Sequence, residues 1–203
     1  MLNLRHLPLA ARRLATPVAI GVAAAIAAAC ANNATRNTGP LRLSVEDTGQ
    51  LFAISGVPGY YPAGINLTSR NVVVVTVFAD GTVPFDVAFD LTPSGQVKVM
   101  PPRTVALGPN VVPISLNIFK PGKPWAQVTE APLAGYTPDT IQVVGANEPV
   151  VLEYRSLSCS FSVLSSQYAK FVVDSVNVPG RRIYFRLLVN PNCGRRSLVA
   201  NQS

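Results

Sequence analysis

Histidine is nearly missing from this 203-residue chain: the single one, His6, stands close to the start and none follows. Ser-His-Asp and Cys-His catalysis and the common zinc sites all need an imidazole, so the residues after the first ten exclude them together. Cysteine is scarce at three, with no C-x-x-C spacing, and methionine and tryptophan occur twice and once. No D-x-D-x-D calcium loop, phosphate-cradling glycine loop, S-x-x-K pair or nucleic-acid motif is present. Repeats, heptads and long amphipathic helices are missing too. Only carboxylates remain for catalysis or metal binding. Asp86 and Asp90 share one strand face, but four residues along a strand separate them by roughly 13 Å, too far for a paired-carboxylate hydrolase. The sequence therefore implies no enzyme, no metal and no cofactor, and treats both aspartates as part of a solvated face.

What is present begins with a leader. Arg5, His6, Arg12 and Arg13 precede an apolar stretch over 14–29 that closes with Ala27-Ala28-Ala29. A basic start, an apolar middle and a small-residue end predict an export signal removed from the working protein, so residues 1–29 are set apart from the fold. Pro17, Gly21 and the short length argue against an uncleaved span. Ala27-Ala28-Ala29-Cys30 resembles the lipobox of bacterial lipoprotein precursors, and the resemblance implies lipidation at Cys30. Ala27 stands where lipoboxes usually carry Leu and also suits an A-x-A signal-peptidase site, so free secretion is the alternative. With Cys30 as the odd cysteine, Cys159 and Cys193 are left to form a disulfide in an oxidising compartment. Residues 30–40, small and polar, read as a tether. The expected address is the periplasm or cell surface, with a lipid anchor in the membrane. Ala31 lacks the Asp that often retains lipoproteins at the inner membrane, which favours the outer one slightly.

From residue 41 onward the chain alternates short apolar runs with Pro, Gly and Asn punctuation, and its 18 prolines suit strands and turns rather than helices. The pattern predicts an all-β fold, an antiparallel β-sandwich of Ig-like or jelly-roll type over 41–203, with a subdivision near 155 as the lesser alternative. Strands are expected at 41–45, 50–55, 96–100, 103–107, 111–119, 125–130, 140–144, 150–155, 161–164, 168–174 and 182–190, with 56–62 a loop. Residues 72–78 and 82–91 are expected to pair as a hairpin around a type I′ turn at Asp80-Gly81. Phe85, Val87, Phe89 and Leu91 then face the core while Asp86, Ala88 and Asp90 face water. Pro179-Gly180 fits a type II turn. A two-residue loop there would set Asp174 beside Phe185, which predicts a bulge or a longer loop near 176–181.

Removing the three leader arginines takes the formal net charge from +7 to about +4, and the remainder is uneven. From Arg155 onward there are seven basic residues against Asp174 alone. Arg182, Tyr184 and Arg186 alternate as a basic aromatic strip, suited either to Asp174 or to an acidic partner. Tyr60 and Tyr61 sit in a Gly-Pro loop, and Trp125 follows a basic proline-rich turn, so all three are candidate binding aromatics. Together these features imply a cell-envelope protein acting as a non-enzymatic interaction or structural module for a protein partner. A carbohydrate-binding module using the aromatic loops is the alternative. Nucleic acid is not an expected partner.

Overall fold

The computed structural model describes residues 41–105, 115–156, 159 and 164–201. The leader, Cys30 and the tether fall outside the described residues, as do 106–107, 111–114 and 161–163 of three expected strands. Residues from Pro40 onward form one compact unit. It is an antiparallel β-sandwich. One sheet runs β1 (Val45–Phe52), β11 (Arg182–Asn190), β10 (Ser166–Asn177), β9 (Val150–Arg155), β6 (Leu116–Phe119) and β7 (Thr137–Pro138). The other runs β3 (Asn71–Val74), β2 (Pro62–Asn66), β4 (Val87–Leu91), β5 (Val97–Met100) and β8 (Gln142–Val144). Because β9 pairs with β10, residues on either side of 155 share one sheet.

The core lies between the sheets and takes alternate residues from each, among them Ile65, Phe89 and Val99 from one and Leu51, Leu152 and Ile183 from the other. Phe89 stacks on Phe171 at 4.7 Å and Phe171 on Phe185 at 5.4 Å, so one aromatic column joins the two layers. Gly49 lies opposite Phe185 on β1, and a Cβ there would come within 2.7 Å of the ring tip. The missing side chain makes room for the column.

The bulge expected in the C-terminal hairpin falls on Asp174 itself. Val173 pairs with Phe185 and Ser175 with Tyr184, leaving Asp174 unopposed. The extra residue returns Val176 to the core beside Ile183 and frees Asp174 to turn outward. The turn is not type II: Gly180 stays outside the left-handed region and Arg181 occupies it at φ 53°. Arg181 N–H donates to Val178 O and Gly180 N–H to Asn177 Oδ1, closing a four-residue loop between paired Asn177 and Arg182.

Four further expectations are corrected. β1 is one continuous strand through Val45–Phe52 rather than two short ones, since all eight of its residues pair with β11. The 72–78/82–91 hairpin survives only at its tip, where Phe78 and Thr82 bond around Gly81 at φ 82° and Asp80 does not take the positive φ that type I′ requires. β2, part of which was read as loop, inserts between β3 and β4. It fits because Gly64 has no side chain: a Cβ would lie 3.0 Å from Phe85 Cβ and 3.2 Å from Val87 O. Finally, β4 is buried on both faces. Ile54, Val73, Val75, Val77, Met100 and Val105 pack over Val83, Phe85 and Ala88 on its outer side, so Phe85 belongs to that second cluster and not with Phe89. Asp86 and Asp90 are therefore buried, not solvated.

Candidate functional site

Strand alternation sorts β11 into two sets. Ile183, Phe185, Leu187 and Val189 enter the core, which turns Arg182, Tyr184 and Arg186 to the outer face. The register sets Phe52 beside Arg182, Gln50 beside Tyr184 and Thr48 beside Arg186 on the same face. Two groups of side chains collect at the ends of this strip.

At the Arg182 end, the guanidinium carbon lies 5.4 Å from the Phe52 ring centroid. Phe52 meets Tyr61 at 4.4 Å, and Tyr61 meets Tyr60 at 4.8 Å. The Pro58–Tyr61 turn that presents the tyrosines is closed by Tyr61 N–H donating to Pro58 O. Tyr60 is 71% exposed, and its contact with the Tyr61 hydroxyl raises its phenol above the ordinary range. Among the described residues no carboxylate pairs with Arg182.

At the Arg186 end the charges are answered. Arg186 Nε donates to Asp174 Oδ1 at 2.8 Å, and Nη1 lies 3.9 Å from Glu46. Trp125 Nε1 donates to Glu46 Oε2 at 3.2 Å. Its half-buried ring is met by Arg186 at 5.2 Å and by Lys170 Nζ at 4.3 Å. Lys170 is buried and donates to the carbonyls of Val128 and Trp125, fixing the 125–128 turn against the sheet. Burial pushes its ammonium pKa down, and the Arg186 charge adds to this against the opposing pull of Glu46. Trp125 is thus a packed member of the sheet's outer cluster with Val128, Val151, Leu188 and Leu198 rather than an open platform.

Between the two ends a shallow groove of about 380 Å³ is lined by Thr48, Gly49, Gln50, Asp174, Tyr184 and Phe185. The six binding residues expected from the sequence thus fall along one face of one sheet, although they come from three separate stretches. Sequence reasoning missed Phe52, which links the tyrosine loop to Arg182, and Glu46, which links Trp125 to Arg186. The signal was the alternation of Glu46, Thr48, Gln50 and Phe52, lost when β1 was read as two strands. The choice left open for the arginines is divided: Asp174 takes Arg186 and leaves Arg182.

Elsewhere, Asp90 accepts from Ser55 N–H and Oγ–H at 3.2 and 2.9 Å, pairs with Arg181 Nη2 at 2.9 Å and lies 3.8 Å from Lys98. Burial pushes its carboxyl up, but hydrogen bonds from Leu91 and Ser55 and the Lys98 charge outweigh it and hold the group below the usual range. Asp86 accepts from Leu67 N–H at 2.7 Å, and there burial wins and raises the carboxyl. Both aspartates fasten loops. Cys159 and Cys193 are bonded at 2.01 Å, joining the segment before β10 to the one after β11. Among the described residues no three His, Cys, Asp or Glu side chains converge on a metal-sized space. No family model, curated protein or solved structure matches the chain.

Proposed function

We propose that this is an exported bacterial cell-envelope protein, lipidated at Cys30, whose sandwich is a non-enzymatic module that binds another envelope protein through the strip from Tyr60 to Trp125. The observation that carries the reading is Arg182: an exposed cation stacked on Phe52, continued by Tyr61 and Tyr60, with no described carboxylate to neutralise it. Arginine and tyrosine dominate the energetics of protein contacts because they combine area with directed hydrogen bonds. The adjoining groove offers Thr48, Gln50 and Tyr184 to an extended segment whose acidic group meets Arg182, and the packed Arg186–Trp125 end backs the strip. Periplasm or cell surface is the expected address, on the outer membrane by preference.

Cross-linking in native membranes, followed by purification, tests this. One stoichiometric protein partner is expected, with the cross-linked yield falling about ten-fold in Arg182→Ala and Tyr60→Ala, as for the loss of an interface hot spot. Recovery of the protein alone overturns the protein-partner reading. The carbohydrate alternative is favoured only by the exposed Tyr60–Tyr61 pair, since Trp125 is already engaged. A glycan array whose binding profile is lost in Tyr60→Ala would select it.

A further inference from the structure

The opposite end of β1 and β11 carries a second surface. About 27 Å separates Arg182 from Asn190 at strand rise, so the two ends are distinct sites. At the start of β1 and just before it, Leu41 is 58% exposed, Leu43 52%, and Val45 40%, alternate residues of one short stretch. The stretch is fastened down: Arg42 N–H donates to Asn192 Oδ1, and Asn192 Nδ2 donates to Arg42 O, both at 2.9 Å. Asn201 N–H donates to Ser44 O at 3.0 Å, which brings Val199, 48% exposed, to the same end. Arg42, Arg195 and, at the end of β9, Arg155 are exposed here, and no described carboxylate pairs with them. Ordered leucines at the surface, flanked by unanswered arginines, match the chemistry of an anionic bilayer, with apolar side chains entering the headgroup layer and cations meeting phosphates.

Chain position agrees with this occupant. Leu41 is eleven positions after Cys30, a reach of at most about 39 Å when fully extended, so an anchor at Cys30 delivers this end of the sandwich to the lipid surface first. We infer that the Leu41 end docks on anionic phospholipid, through Leu41, Leu43 and Val199 with Arg42, Arg155 and Arg195. The placement rests on the anchoring proposed above, and it leaves the Tyr60–Arg182 end pointing away from the membrane and open to a partner.

Oxidative side-chain footprinting of the protein purified from membranes tests the docking, on vesicles of phosphatidylglycerol and phosphatidylethanolamine and on phosphatidylcholine alone. Oxidation of Leu41 and Leu43 is expected to fall about three-fold or more on the anionic vesicles only, with Tyr60 unchanged. Arg42→Gln with Arg195→Gln should erase the difference between the vesicles while leaving the melting temperature unmoved. Equal oxidation of Leu41 and Leu43 on both vesicles, or equal protection of Tyr60, overturns the proposal. Intact mass separates the two readings. Lipid on Cys30 without protection leaves the anchor and removes the docking, and protection without lipid does the reverse.

Discussion

The two ends of the paired strands β1 and β11 are built from similar residues and use them in opposite ways. At the turn end, arginine is put to structural work: Arg181 adopts a left-handed backbone, donates from Nε to Ser55 O at 2.9 Å and pairs with Asp90, while its own carbonyl accepts from Ala53. That clasp ties both strands to β4 of the other sheet and leaves the neighbouring Arg182 as the exposed cation. At the Leu41 end, the backbone is held by asparagine side chains and a disulfide. The side chains of Arg42, Arg155 and Arg195 are spared from ion pairs with described carboxylates, and those of Leu41 and Leu43 from the core. The difference teaches that exposure of a charge follows from what else fastens the chain nearby.

Removing the fastening at the Leu41 end has the largest expected effect. Cys159→Ser with Cys193→Ser opens a loop of 34 residues, which on the chain-entropy model costs about 4 kcal/mol. Urea unfolding measures it. A loss under about 1 kcal/mol would show that Asn190 and Asn192 hold this end by themselves.

At the turn end, Asp90→Ala strands Arg181 in a strained conformation and leaves Ser55 without its acceptor, for an expected loss of about 2–3 kcal/mol. The same carboxylate gives a pH signature. Its folded pKa lies below the unfolded value, so its stabilisation is complete above the unfolded aspartate range and disappears as pH falls through the lower folded value. The stability gap between wild type and Asp90→Asn should therefore close on acidification below about pH 4. A gap constant from pH 7 to pH 3 would mean that Asp90 acts by packing and not by charge. Asp86 carries the opposite sign, because burial raises its pKa and protonation relieves the folded state.

The smallest stability effect belongs to Arg182→Ala, expected within about 0.5 kcal/mol because an exposed side chain without an ion pair is removed. Arg186→Ala should cost more, about 1 kcal/mol, since it removes the ion pair of Asp174 at the bulge while Glu46 keeps its bond from Trp125. Thermal unfolding of the two variants side by side sets which arginine is structural.

Much of the fold was legible before any coordinates. The β pattern and the need for an irregularity beside Asp174 follow from local chemistry, because alternation and charge avoidance act between near neighbours, whereas the pairing of Cys159 with Cys193 follows from counting three cysteines and setting Cys30 apart. The strip was legible by composition but not as a unit. Tyr60, Trp125 and Arg182 are far apart in sequence, and only the register of β1 on β11 with the turns laid over them sets them on one face.

The sequence by itself determined an all-β chain with an odd cysteine and no imidazole after His6, since composition and period-two patterning are properties of single strands. Tertiary structure decided what each strand faces. β4 has the alternation of a half-solvated strand, yet a second apolar layer covers its outer side, and Asp86 and Asp90 are buried as loop fasteners. Which side chains meet water depends on residues brought together from distant parts of the chain, and strand patterning encodes only that a strand has two faces, not what covers either.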